Sequence, residues 1–279
     1  MSRDAGATTA AASAAAGPAG YRWQRYTPLQ RFGRYAAYLV SAAVVYWALR
    51  TLDIYWPWVW SAPNEIADMF NRMSPPDLRR GDAILRAMLE TIHIATLATA
   101  LSLLFSLPTA YIAAQNTTPN TATLWLGRFI LVATRSVNTI IWALLFVAIF
   151  GPGVMAGILA IAFRSIGFTG KLMAEAIEEI DRKPVEAITA AGGDKAKIVI
   201  FGIIPQVLPT FLAVTILRWD INIRESTVLG LVGAGGIGLI LQGAIDTFQW
   251  RTASTILIAI LIVVILGEVV SSALRKRVL

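Results

Sequence analysis

Residues 186–205 read EAITAAGGDKAKIVIFGIIP, and the layout of the chain turns on where this stretch is placed. Before it, Glu175, Glu178, Glu179 and Asp181, and then Glu186 itself, alternate with Ala and Ile. Gly192-Gly193 breaks that pattern, and Lys195 and Lys197 lead into an apolar run that reaches Pro205. Glycine tolerates the backbone conformations that end a helix. The pattern therefore predicts a helix, a turn and a second helix that enters a bilayer at Pro205. A helical pair with an acidic first part and a small-residue turn suits docking to another protein. An ordinary amphipathic interfacial loop has the same composition.

The flanking chain has the composition of a membrane protein. Of its 279 residues 56% are hydrophobic and 15% charged, with a mean hydropathy of +0.63; soluble domains carry about 25% charged residues. There is no cysteine and a single histidine, His93. Disulfides, thiol catalysis and Cys- or His-based metal clusters are thereby excluded. His93 falls near the outer end of an apolar segment and reads as an interfacial side chain. Residues 1–30 read as a flexible tail, because the first twenty are nearly all Ala, Gly, Ser and Thr and have little apolar surface to bury. Residues 31–279 read as one transmembrane domain, with the polar loop at about 171–204.

About 20 apolar residues are needed to cross a bilayer core of roughly 30 Å. Six segments meet or approach that length, at about 35–52, 84–114, 129–150, 154–168, 206–223 and 252–274. The fold class is an all-α membrane protein of six transmembrane helices. The second segment exceeds the requirement and must tilt or protrude; Ala95, Thr99, Ser102 and Ser106 place small residues near one of its faces. The fourth is short and interrupted by Arg164. Cations gather on one side of this topology: Arg3, Arg22, Arg25, Arg31, Arg34, Arg128, Lys171, Arg182, Lys183, Lys195, Lys197, Arg275, Lys276 and Arg277. The other side carries Arg72, Arg79, Arg80, Arg224 and Arg251. Positive charge marks the cytoplasmic side, so both termini are expected in the cytoplasm. The net charge of +7 is then topology in contact with membrane lipid, and no nucleic-acid partner is expected.

Two glycine-rich stretches invite nucleotide readings and fail them. Gly233–Gly238, GAGGIG, has the dinucleotide spacing but lies among membrane spans, and the nearest downstream acid, Asp246, comes too early. GFTGKL at 167–172 has Leu172 where a phosphate loop needs Ser or Thr. No cofactor site and no ATP site are expected in this chain. The fifth span carries the charges that need explaining: Arg218, Asp220, Arg224 and Glu225. Charge inside a bilayer is costly and marks a pathway or a compensated cluster. Asp220 precedes Arg224 by four, the favourable helical orientation for an ion pair, while Arg218, Asn222 and Glu225 share a neighbouring face. A structural salt-bridge cluster and the lining of an anion pathway both fit. Arg164 is a second candidate for such a pathway.

Glu186, Ala187 and Gly192, with Pro205 thirteen residues further on, resemble the EAA loop of permease subunits of binding-protein-dependent ABC importers. Ile188 stands where a second Ala is usual, and Gly202 and Ile204 replace the usual Ile and Leu. RWDINIRESTVLGLVGAGGIG (218–238), ETIHIATLATALSLLFSLPTAYIAAQNTTPN (90–120) and GKLMAEAIEEID (170–181) resemble the phosphonate-type branch. The resemblance implies a type I importer permease fold in a bacterial inner membrane, as a transport subunit rather than an enzyme. It further implies a homodimeric pore, a cytoplasmic ATPase dimer that binds ATP-Mg, and a periplasmic or lipid-anchored phosphonate-binding protein. On that basis Glu186, Ala187, Gly192, Asp194 and Lys195 are the expected ATPase-coupling residues. The expected translocation pathway is Arg218, Asp220, Asn222, Arg224, Glu225, Ser226 and Thr227. Alternatives are a permease of the same superfamily for another small solute, or a membrane enzyme or secondary carrier acting without an ATPase.

Overall fold

The computed structural model describes residue 26 and residues 28–52 and 55–278, without the side chains of Pro28 and Val278. Most of the tail predicted at 1–30 lies outside the described residues. No strand occurs among them. The chain divides into two units between Ile66 and Ala67. The first contains α1 (Pro28–Thr51), an apolar helix with Phe32, Tyr35, Leu39 and Trp47 exposed along it. It also contains the beginning of α2 (Trp56–Met73), a helix with no buried residue, whose N-terminal Trp-rich turn suits an interfacial position.

The second unit holds α3 (Gly81–Ala113), α4 (Thr121–Ser136), α5 (Thr139–Phe150), α6 (Val154–Glu178), α7 (Arg182–Ala190), α8 (Ile204–Leu229), α9 (Ile237–Asp246) and α10 (Trp250–Val278). Its core is the pairing of α3 with α6. The face that α3 buries is made of small residues, among them Ala95, Ala98, Thr99, Ser102, Ser106 and Ala110. In lipid the helices gain little from hydrophobic association, so close backbone approach and van der Waals contact must hold them. The hydroxyls on this face do not stay orphaned: Thr91 donates to the Ala87 carbonyl at 2.8 Å and Thr99 to that of Ala95 at 2.7 Å. On α6, Gly167 lies so close to α4 that a Cβ there would fall 2.5 Å from the Leu131 carbonyl oxygen.

Among the described residues four helical stretches are long and apolar enough to cross a membrane, and up to six if each bent pair is one span. The span predicted at 129–150 is one of the bent pairs. It is broken into α4 and α5, which turn through 89°. Val137 is extended at the break, and the Asn138 side chain starts α5 by accepting the Ile140 N–H at 3.1 Å. The span predicted at 154–168 instead continues as α6 to Glu178, 25 residues in all, because Arg164 is paired within the fold. That extension absorbs the first part of the loop expected at 171–204.

A turn at Lys195–Lys197 and a π-helical stretch, Ile198–Ile203, lead into α8. Pro205 has no N–H to give the carbonyl one turn back and its ring crowds that carbonyl; the wider π turn accommodates both, and the Ile204 N–H reaches the Val199 carbonyl. After α8 the chain reverses through Gly233, Gly235 and Gly236 at φ +85°, +81° and +73°, a region that only glycine enters without strain. Glu90 and Thr91 of α3 hold the reversal by accepting the Gly236 N–H at 2.9 Å and the Ile237 N–H at 2.8 Å.

Candidate functional site

The charges of α8 divide between two neighbourhoods. On one face Arg218, Asn222 and Glu225 meet side chains of α3, α5 and α6. Arg218 Nε donates to Ser165 Oγ at 2.8 Å, Ser165 Oγ donates to Asn222 Oδ1 at 3.1 Å, and Asn222 Nδ2 donates to Thr99 Oγ1 at 2.8 Å. The Arg218 guanidinium also lies 5.2 Å from the centre of the Phe168 ring, in cation–π contact. Glu225 closes the network: it pairs with Arg218 at 3.4 Å and with Arg164 at 2.5 Å, and accepts the Thr139 hydroxyl at 2.8 Å. Four helices are thus joined through one chain of polar contacts at membrane depth.

On the other face Arg224 pairs with Asp220, one helical turn before it. The Asp220 carboxylate is buried toward Gly267 of α10, while Arg224 stays half exposed. Ser226 and Thr227 are satisfied inside the fold. Ser226 Oγ donates to the Ile223 and Thr91 carbonyls at 2.8 and 3.1 Å, and Thr227 Oγ1 to the Arg224 carbonyl at 2.8 Å. The structure brings Arg218, Asn222 and Glu225 together as their helical spacing implied, and sets the Asp220–Arg224 pair apart from them. Sequence reading missed Thr139, Ser165 and Phe168 as members. The signal was present in kind, because a charge inside a span requires polar partners on neighbouring helices.

The segment at 182–205 has the opposite character. Its first helix, α7, buries no residue. Asp181 caps it by accepting the Lys183 N–H at 3.0 Å, and Asp194 caps the following turn by accepting the Lys197 N–H at 3.1 Å. Gly192, at φ +79°, makes the turn between them. Glu186, Ala187, Gly192, Asp194 and Lys195 all lie exposed, and Glu186 and Lys195 line a cavity of about 790 Å³ with Arg182. Val185 and Ile188 pack onto Gly202 of the π-helical stretch; a Cβ at Gly202 would lie 3.3 Å from Ile188 Cδ1 and 3.4 Å from Val185 Cγ2. Gln206 fastens the two halves, accepting the Asp181 N–H at 2.9 Å and donating to the Gly202 and Asp181 carbonyls at 2.6 and 3.2 Å.

A multi-pass helical protein with charges paired between its helices and an exposed, glycine-hinged helix pair has the make-up of a membrane transport component. Residues 84–278 match the family described as binding-protein-dependent transport system inner membrane component, and the chain belongs to that family. It is 40% identical over 212 residues to the phosphite transport system permease protein PtxC of Stutzerimonas stutzeri, covering 76% of this chain and 77% of that one. It is 36% identical over 250 residues to the phosphate-import permease protein PhnE of Mycolicibacterium smegmatis, covering 89% of this chain and 46% of the other. Among solved structures it is similar to an inward-facing form of the MetNI methionine ABC transporter, with a TM-score of 0.63 at 20% identity over 73% of this chain and 99% of that one. An amino acid ABC transporter is similar at a TM-score of 0.60 and 17% identity, over 72% of this chain and 96% of that one. The fold is that of a type I ABC importer permease.

Proposed function

We propose that this chain is the membrane-spanning subunit of an ATP-driven importer for phosphonate, phosphite or a related phosphorus oxyanion. The observation that carries the reading is the 40% identity with the phosphite permease PtxC over 77% of its length. A path through the bilayer for an anion requires positive charge held where it attracts without trapping; Arg164, Arg218 and Arg224, each paired with a carboxylate, meet that requirement. A separate ATPase dimer binds ATP-Mg, and this chain does no chemistry on the nucleotide. A second copy of the permease completes the pore, and an extracytoplasmic binding protein delivers the solute.

The ATPase docks on the exposed face of α7, through Glu186, Ala187 and the turn at Gly192, Asp194 and Lys195. Helix-in-groove docking suits a short surface helix of this kind. Movement of the ATPase reaches the spans because α7 is fastened to the start of α8 by Gln206 and by Ile188 against Gly202. The test is uptake of labelled phosphite and methylphosphonate into proteoliposomes containing the permease, its ATPase and its binding protein. The expected result is uptake that stops when ATP or any one component is withheld. Uptake by the permease alone, driven by an ion gradient, would overturn the reading.

A further inference from the structure

At the centre of the four-helix polar network two guanidinium groups share one carboxylate. Glu225 is the only acidic partner of both Arg164 and Arg218 among the described residues. The three groups therefore carry one uncompensated positive charge. The two arginines differ in freedom. The Arg218 side chain is 3% exposed, fixed by Ser165 and lying over the Phe168 ring. The Arg164 side chain is 35% exposed, and its hydrogen-bonding partners among the described residues are Glu225 and the Thr139 hydroxyl, the latter at 3.1 Å. It sits ten residues into α6, or about 15 Å along the helix, at membrane depth. Cations at such depth face a bundle interior or a water-filled cavity rather than lipid. The open edge of Arg164 thus marks a wall of the path.

Building on the oxyanion reading above, we infer that Arg164 holds the translocated anion at mid-membrane, and that Glu225 is its internal stand-in. With the path empty, Glu225 occupies Arg164. When an oxyanion arrives, it takes the guanidinium, and Glu225 remains with Arg218 and Thr139. The guanidinium fork donates to the oxygens of a phosphonate or phosphite as it donates to those of a carboxylate. Each state leaves every charge facing an opposite one, so the exchange avoids stranding a bare ion in a medium of low dielectric. The return of Glu225 expels the anion, which keeps the site weak enough to release what it holds. Arg218 is then a positioning residue for Glu225, and Arg164 is the residue that touches the solute.

The test uses the complete importer in proteoliposomes, with ATP-driven uptake of labelled phosphite, methylphosphonate and sulfate, and equilibrium binding of phosphite to the permease–ATPase complex without binding protein. Arg164→Gln should lower phosphite uptake by about tenfold or more, and Glu225→Gln should tighten phosphite binding about tenfold while slowing its release. The double variant Arg164→Gln/Glu225→Gln should stay as inactive as Arg164→Gln. Restored uptake in the double variant would mean a merely structural ion pair and would overturn the inference, as would wild-type uptake by Arg164→Gln. If Arg164→Gln does not assemble, Arg164→Lys decides: a several-fold fall in uptake supports the inference, and wild-type uptake overturns it. Arg164-dependent import of sulfate without any phosphorus anion would retain the anion site and overturn the substrate reading. Import of phosphorus anions indifferent to Arg164 would do the reverse, and a wild-type importer that carries none of the three anions would overturn both.

Discussion

The network around Glu225 and the segment from α7 to the π-helical stretch both hold charged side chains and treat them in opposite ways. In the first, every charge has a partner on another helix or one turn away, and hydroxyls and an amide fill the remaining hydrogen-bonding capacity. In the second, Glu186 and Lys195 lie exposed, and the two aspartates satisfy backbone at helix starts. Water covers an unpartnered charge cheaply and hydrocarbon does not. Interior charge therefore specifies how helices sit, while surface charge stays available for a partner to read.

Substitutions can break that contrast, and the largest effect belongs to the interior. Arg218→Ala leaves Glu225 with one cation in place of two and removes one of the two partners of Ser165. Loss of the hydrogen bonds of a buried charged group is expected to cost about 1.5–3 kcal/mol, measurable as reduced resistance to unfolding by detergent or heat. Gly167→Ala comes next, since its Cβ would fall 2.5 Å from both the Leu131 carbonyl oxygen and Thr134 Oγ1. Overpacking of a tight contact costs about 1–3 kcal/mol, and a cysteine cross-link between α4 and α6 would report their separation.

On the surface the scale of effect should invert between stability and function. Gly192→Val meets no atom within 4 Å but must adopt φ +79°, costing about 1–2 kcal/mol. Membrane insertion should survive while solute-stimulated ATP hydrolysis is lost; wild-type stimulation would remove this turn from the docking surface. Glu186→Ala is the mildest, within about 0.5 kcal/mol of wild type in stability, yet it should weaken co-purification of the ATPase. A stability loss as large as that of Arg218→Ala would erase the distinction between the two regions.

Much of this was legible in the chain, and the failures have physical causes. The apolar runs, and a helix, a turn and a second helix leading to Pro205, could be read because periodicity and glycine act locally. The start of the acidic stretch placed with the first of those helices belongs instead to α6, which ends at Glu178. The break between α4 and α5 was hidden because residues 129–150 are apolar throughout apart from a few polar positions, so hydropathy runs straight across the Asn138 cap. The fourth span was expected to stop at about residue 168 with Arg164 as an interruption; the helix runs on to Glu178, and the carboxylate that pairs Arg164, 61 positions away, has no local signal. Within the site, the spacing of Arg218, Asn222 and Glu225 showed that they share a face. Thr99, Thr139 and Ser165 could not be assigned to that face, because nothing local distinguishes a hydroxyl that bonds across helices from one that bonds to its own turn.

Two of the three places where the 186–205 stretch departs from the usual pattern, Ile188 for Ala and Gly202 for Ile, are the two sides of one contact. The larger side chain has moved from the spanning segment to the surface helix, and the notch has moved the other way. Mechanically this is a tooth set in a socket. Together with the hydrogen bonds between Gln206 and Asp181, it ties α7 to the foot of α8 beside Pro205.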